Sequence, residues 1–373
     1  QSWQPSLVGT EGLRDGRVRG VAKDQQGRVW IGTMNGGLHR LTPSSGSIEA
    51  LELPGSAQRR VWAVLAGAQD ELWIGHQEGV LRAGVDANGR LRSIAQWPAS
   101  ALVGGIVDLL QVDGDGHIWA ASMGEGLSRI DPASAAVSKY PFGADGLVGT
   151  EVQQITVGLD QRIWVATDRA LLAFDAGCQC WQTLIGGARI DAFAQDDMQR
   201  IYAFVDGQLA RYDWREGLFR DASFAPRAFA EFQTVGALVH VDQALWLVGP
   251  QGLYRYQPAN HQLDGYDSRD GLPTREFSDR PLHVDNDGRL WIGSEDGLLS
   301  LDPRLAFKDP PTTRLRFDQL TADGNRQLDP SKSGEIQSDE RELSVAVRLA
   351  TLARPHAQRF SFKLQGWDDD WSL

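Results

Sequence analysis

Cysteine is almost absent from this 373-residue chain: only Cys178 and Cys180 occur. Two thiols cannot build a disulfide framework or a four-cysteine zinc centre. A bridge spanning a single residue is geometrically demanding, and on an extended strand both side chains share a face, so the pair is expected as two unlinked thiols. Basic charge is also short, with 37 Lys and Arg against 49 Asp and Glu and a formal net charge of −12. No basic stripe offers the phosphate contacts that release counterions, which excludes nucleic acid as a partner. The longest uncharged apolar run, 99–107, falls far short of the roughly 20 residues of a membrane helix, so membrane attachment is expected only through segments outside this sequence. The chain opens Gln1-Ser2-Trp3 with neither Met nor the basic and apolar regions of a signal peptide, as expected of either a mature product or an excised piece. Helical 3.6-residue periodicity is missing as well.

What is abundant is tryptophan, 13 against 6 Tyr, beside 41 Gly. Aligning on Trp exposes a repeat: Asp, two residues, Gly, any residue, an aliphatic, Trp, an aliphatic, then Gly or Ala. The clearest copies are 24–32 (DQQGRVWIG), 113–121 (DGDGHIWAA) and 285–293 (DNDGRLWIG); weaker ones centre on Trp73, Trp164, Tyr202 and Trp246. The anchors Trp30, Trp73, Trp119, Trp164, Tyr202, Trp246 and Trp291 lie 38 to 46 residues apart. In each copy an apolar stretch precedes an Asp/Gly hairpin turn, the Trp strand, a short turn, a third strand and a more polar fourth. Four antiparallel strands per period of 40 to 50 residues predict β-propeller blades, seven in number, with one ring per blade filling the space between sheets. The seventh copy breaks off at Pro310-Pro311 after three strands. The N-terminal piece around Ser2-Trp3-Gln4-Pro5 is therefore expected to supply its fourth strand and close the ring. The linkers Glu11-Gly12-Leu13, Asp145-Gly146-Leu147 and Asp270-Gly271-Leu272 share a motif.

On these copies, the Gly-Leu that follows them and the D-G-L linkers, the chain resembles the two-component regulator propellers of extracytoplasmic sensor regions in bacterial hybrid histidine kinases and some diguanylate cyclases. After Pro310-Pro311, 314–322 (RLRFDQLTA), 342–352 (ELSVAVRLATL) and 359–364 (RFSFKL) read as further strands. The end, from Phe360 and Phe362 to Trp367-Asp368-Asp369-Asp370-Trp371, is similar to the middle of the triple-tyrosine immunoglobulin-like domain that follows such propellers. The expected architecture is all-β: a seven-bladed propeller over 1–308 and an incomplete immunoglobulin-like β-sandwich over 309–373. The resemblance implies a receptor fragment on the periplasmic side of the inner membrane, a homodimer in the full-length receptor, and a kinase or diguanylate cyclase output beyond this chain. A single propeller, where many hybrid kinases carry two, shifts weight toward single-propeller sensors.

No HExxH, Walker loop, GxGxxG, CxxC or GxSxG is present. The seven His are scattered without metal-ligand spacing. The runs 113–116 and 285–288 suggest calcium loops, but His117 and Arg289 stand where a fifth-position oxygen is required, so both read as hairpin turns. No catalytic residue, metal or cofactor is expected. A candidate site follows from architecture: residues just inside each innermost strand converge on the propeller axis. These are Arg19, Trp62, Asp108, Gln153, Asp191, Val235 and Arg280, joined at the turns between second and third strands by Asn35, Glu78, Glu125, Asp168 and Glu295. Polar groups around one aromatic suit a small polar ligand, such as a carbohydrate. The leading expectation is a ligand-sensing, non-enzymatic receptor region; a propeller lyase or lactonase with a metal in its tunnel, and a protein-interaction scaffold, are the alternatives.

Overall fold

Each copy of the repeat folds into one sheet, and the chain divides into two compact units, Gln1–Ala306 and Phe307–Leu373. The computed structural model describes residues 6–8, 12–53, 60–68, 70–86, 89–214, 219–224, 226–229, 232–249, 252–270, 272, 274, 276–306, 315–323, 326–329, 342–349 and 362–366. Among these the first unit contains seven four-stranded antiparallel sheets. We number them 1 to 7 by their first strands: Val18–Lys23, Val61–Ala66, Val107–Val112, Val152–Val157, Ile190–Gln195, Ala237–Val241 and Phe277–Val284. Six are simple meanders. In sheet 7 the outer strand is Ser6–Val8, paired antiparallel to Leu298–Leu301 through Ser6↔Ser300, Leu7↔Leu299 and Val8↔Leu298. The N-terminal segment therefore completes the last sheet, just downstream of residues 2–5, which lie outside the described residues. Each first strand touches the first strands of its two neighbours, and that of sheet 7 touches that of sheet 1. A closed cycle of antiparallel sheets fits a propeller.

The seven aromatic anchors all fall in second strands and are at most 3% exposed. Six of them share a buried cluster with the next sheet: Trp30 lies with Val61 and Val64 of sheet 2, Trp119 with Val152 and Ile155 of sheet 4, and Trp291 with Val18 of sheet 1. The repeat's Asp serves the same packing. Asp113 Oδ1 accepts the backbone N–H of Asp115 (3.0 Å) and His117 (2.8 Å), and its Oδ2 accepts Trp119 Nε1–H (3.0 Å). Asp24 does this for Gln26, Arg28 and Trp30, and Asp285 for Asp287, Arg289 and Trp291. One carboxylate thus closes the hairpin and fixes the rotation of the indole buried behind it, which is why Asp and Trp recur six residues apart.

One expectation is overturned. Cys178 and Cys180 are joined by a disulfide. Cys178 sits in the hairpin turn between Ala170–Asp175 and Cys180–Gly186, where Gln179 adopts φ +53°. The chain doubles back instead of running extended, leaving the two Cα atoms 5.2 Å apart, within disulfide reach.

The second unit contributes a three-stranded antiparallel sheet in the order Arg326–Leu328, Leu315–Ala322, Leu343–Leu349. The strand expected over 359–364 is described only from Phe362; Phe360, Trp367 and Trp371 lie outside the described residues. No helix among the described residues is long and apolar enough to cross a membrane.

Candidate functional site

The first strands share an irregularity that defines the site. In sheet 1, Val18 pairs with Thr33 and Gly20 with Gly32, so Arg19 is an extra residue with no opposite number. The same register shift isolates Trp62 in sheet 2, Asp108 in sheet 3, Gln153 in sheet 4 and Asp191 in sheet 5. In sheet 7 the shift spans Phe277 to Leu282 and takes in Arg280, whose side chain lies outside the described residues. Sheet 6 pairs regularly, and Val235 precedes its first strand. A β-bulge frees a side chain from the alternation of its strand and re-aims it. Five bulge residues in successive sheets therefore present side chains that the ladder does not dictate.

Arg19, Trp62, Asp108, Gln153 and Val235 line one cavity of about 320 Å³, with Glu151, Arg189 and Thr234. A second cavity of about 1120 Å³ shares Arg19, Trp62 and Asp108 and follows the first strands to Lys23, Gln111 and Asp285. Together they form a channel bounded by first strands, with Arg19, Trp62, Asp108 and Gln153 at one end; Asp191 lines neither cavity. The charges there are held in pairs. Arg19 Nη2 donates to Glu295 Oε1 at 3.1 Å, and Arg189 Nε to Asp191 Oδ1 at 2.5 Å. The hydrogen bond it donates to Asp191 raises the Arg189 pKa above its ordinary value. The Arg19 guanidinium lies 6.0 Å from the Trp62 ring centroid. Trp62 Nε1 and Asp191 Oδ2 are each buried without a hydrogen-bond partner among the described residues. Gln153 Nε2 donates to Glu151 Oε2 at 3.1 Å.

The turn residues behave differently. Glu295 joins the site through Arg19, but Asn35, Glu78, Glu125 and Asp168 line neither cavity. Asn35, Glu78 and Glu125 are exposed. Asp168 is consumed locally: it accepts Thr150 N–H (2.7 Å), Thr150 Oγ1–H (2.9 Å) and Glu151 N–H (3.1 Å). Its partial burial pushes its pKa upward, and these hydrogen bonds outweigh that and hold it below the ordinary carboxylate value. Reading the turns as part of the channel mouth therefore included four residues that do not line it.

Glu151 and Arg189 were missed by reading only the residue after each opening aliphatic. Each stands two positions before a bulge residue, Gln153 and Asp191, and is hydrogen-bonded to it. The period of two on a strand was the signal available. The group Asp113, Asp115 and His117 brings ligand atoms within 4.8 Å of one another. Both Asp113 oxygens already accept the hydrogen bonds of the hairpin and of Trp119.

Comparison with known proteins points the same way as the repeat. Residues 12–35 match the family model for the two component regulator propeller. The chain is 19% identical to histidine kinase P4 of Formosa agariphila over 95% of its own length and 28% of that protein's. Among solved structures it is similar in fold to an extracellular domain described as that of hybrid two component system BT4673 of B. thetaiotaomicron. That likeness has a TM-score of 0.65 and 18% identity, and covers 84% of this chain and 40% of that one. It is similar in fold also to virginiamycin B lyase of Staphylococcus aureus (TM-score 0.58, 15% identity, 80% of this chain and 98% of that one). The chain thus spans less than half the length of the histidine kinase and of the BT4673 domain.

Proposed function

We propose that this chain is the ligand-sensing, non-enzymatic part of a transmembrane signalling receptor: one seven-bladed propeller closed by its N-terminal strand, followed by part of an immunoglobulin-like domain. Binding of a small neutral polar ligand, of the carbohydrate class, at the bulge end of the channel biases a kinase or cyclase output carried elsewhere in the parent protein. The observation that carries this reading is the ring of bulged residues. Five sheets each free one side chain at the same level, and Arg19, Trp62, Asp108 and Gln153 meet around one cavity. A β-bulge costs ladder pairing, and its repetition where side chains converge supports a functional surface. The two arginines are already paired with carboxylates, Arg19 with Glu295 and Arg189 with Asp191, which favours a neutral ligand over a strongly anionic one. Trp62 supplies a ring face for stacking and an indole N–H for a ligand oxygen.

The family match at residues 12–35 supports the sensor class. A disulfide supports an extracytoplasmic, oxidising location, on the periplasmic side of the inner membrane in our reading. The likeness to the lyase is one of fold, and no metal or catalytic group is assigned on it. The test is a thermal-shift screen with neutral mono- and oligosaccharides. A ligand that raises the melting temperature of the native chain should lose its effect on the Arg19→Ala, Trp62→Ala double variant; equal stabilisation of that variant overturns the assignment. The receptor reading is tested by the gene beyond Leu373, which should encode a membrane helix and then a kinase or cyclase domain. A stop codon there removes it.

A further inference from the structure

We propose that the Cys178–Cys180 disulfide is a site of thiol exchange, a covalent modification point separate from the channel and independent of the ligand reading above. The bond crosses one residue, and Cys178 is exposed while Cys180 is half-buried. A disulfide stabilises a protein chiefly by restricting its unfolded chain, and a loop this short gains the least. The hairpin does not need the crosslink. Asp175 and Cys180 are already register partners in the ladder; Asp175 Oδ1 accepts Gly177 N–H at 2.8 Å, and its Oδ2 accepts Gln182 Nε2–H at 2.7 Å. A bond of small structural worth, on an edge hairpin with one sulfur open to solvent, has the accessibility that exchange requires.

The reacting partner is a small monothiol acting as its thiolate. It attacks Cys178 Sγ, the exposed sulfur, forming a mixed disulfide; the Sγ–Sγ bond breaks and its electron pair leaves on Cys180 Sγ, which takes a proton from water. Cys180 thiolate then either returns to Cys178 and expels the thiol, or a second thiolate attacks the mixed disulfide. That second step releases the oxidised dimer of the thiol and leaves two protein thiols, so two thiols are oxidised for each protein disulfide reduced.

The modification has a built-in reporter. Cys180 adjoins Trp181, 5% exposed, whose ring meets Trp119 edge-on at 5.4 Å and Phe174 at 5.2 Å. The Trp181 backbone N–H donates to the Asp145 carbonyl at 2.7 Å, tying the hairpin to the Asp145-Gly146-Leu147 linker that leads into sheet 4. Opening the disulfide releases the left-handed turn at Gln179 and the residue that precedes this anchor.

The experiment uses the whole chain, folded, with reduced glutathione as the probe. After acid quenching, intact mass and peptide mapping should find one glutathionyl group on Cys178 in the native chain and none in a Cys178→Ser, Cys180→Ser double variant; in Cys180→Ser, where Cys178 is a free thiol, oxidised glutathione should give a stable adduct at Cys178, one glutathione thiolate leaving as the mixed disulfide forms. The reduced protein should keep its cooperative melt, shifted by only a few degrees, with a changed tryptophan emission. Three results overturn the proposal: cysteines that alkylate in the native chain before any thiol is added, a disulfide that glutathione opens only after unfolding, or loss of the folded state on reduction.

Discussion

Arg19 and Glu295 stand 276 positions apart in sequence and 3.1 Å apart in space, where the Arg19 guanidinium ties the bulge of sheet 1 to the turn after the second strand of sheet 7. Three further hydrogen bonds run along the same seam. Ser278 Oγ donates to the Val18 carbonyl, and Lys23 Nζ donates to Asp285 at 3.0 Å and to Asp287 at 2.5 Å. The junction between first and last sheets is thus pinned at several points along the channel wall. Removing the acceptor leaves Arg19, only 13% exposed, without this counter-charge. Glu295→Ala should lower stability by about 1 to 2 kcal/mol, and Glu295→Gln, which keeps an acceptor oxygen, by less. Urea denaturation of the three proteins measures this; an alanine variant as stable as the native chain contradicts it.

The Asp of the repeat carries three hydrogen bonds on one carboxylate, so its loss should exceed that of an ordinary surface residue. Asp113→Ala orphans the buried Trp119 Nε1–H and unties the hairpin, at a cost of about 2 to 3 kcal/mol. Asp115→Ala in the same turn should change stability by less than about 0.5 kcal/mol, because Asp115 contributes its backbone N–H and its side chain is exposed. Comparable losses in the two variants would mean that the turn, and not the Asp–Trp bond, is what matters.

The hairpin turns also differ in their left-handed position. Gly116 takes it in sheet 3 with φ +87°, whereas Gln199 takes it in sheet 5 with φ +61°. A side chain there is strained, and nothing lies within 4 Å of where a Cβ on Gly116 would point. Gln199→Gly should therefore stabilise, and Gly116→Ala destabilise, by about 0.5 to 1 kcal/mol each, the unfolded-chain entropy of glycine trimming both. Melting temperatures moving in the same direction for both would refute the assignment of strain.

Acid should destabilise the fold through buried histidines. His39 is fully buried, and its Nε2 accepts the Arg14 N–H at 3.0 Å. Burial, seconded by the nearby Arg14 charge, lowers its pKa from 6.5 to about 4. Between those values the unfolded chain binds the proton and the folded chain does not, so stability is complete above pH 6.5 and is lost as the pH falls toward 4. The loss from this residue amounts to as much as about 3 kcal/mol. His76, His240 and His283 are shifted the same way by burial. His39→Gln should flatten the fall in stability between pH 6.5 and 4 without abolishing it; an unchanged slope would exclude His39 as a contributor.

The repeat was legible because its constraints are local. Asp113, Gly116 and Trp119 lie within one hairpin, so turn chemistry and indole packing print directly onto sequence spacing, and every anchor from Trp30 to Trp291 falls in a second strand. The closing strand was legible by counting, since three strands in the last copy demanded a fourth. Arg19, Trp62, Asp108 and Gln153, named from their position within each first strand, line one cavity, and Val235, which precedes its strand, lines it too. What could not be read was the bulge itself, a property of pairing across two strands. Missing it left Glu151 and Arg189 unassigned and gave Asp168 a role that Thr150 and Glu151 already claim. The disulfide escaped because it depends on a left-handed Gln179, a residue type with no marked preference for that conformation.

The pairing of Ser6–Val8 with Leu298–Leu301 also has a mechanical side. The strands are antiparallel, and Ser6 faces Ser300, so the chain arrives and departs at the same end of the pair. Tension between the segment before Ser6 and the segment after Leu301 would load the hydrogen bonds one after another, as a zipper is opened, and not all at once in shear. A pull transmitted along the polypeptide would meet its weakest resistance at this clasp, releasing a short strand while the other six sheets keep all their strands.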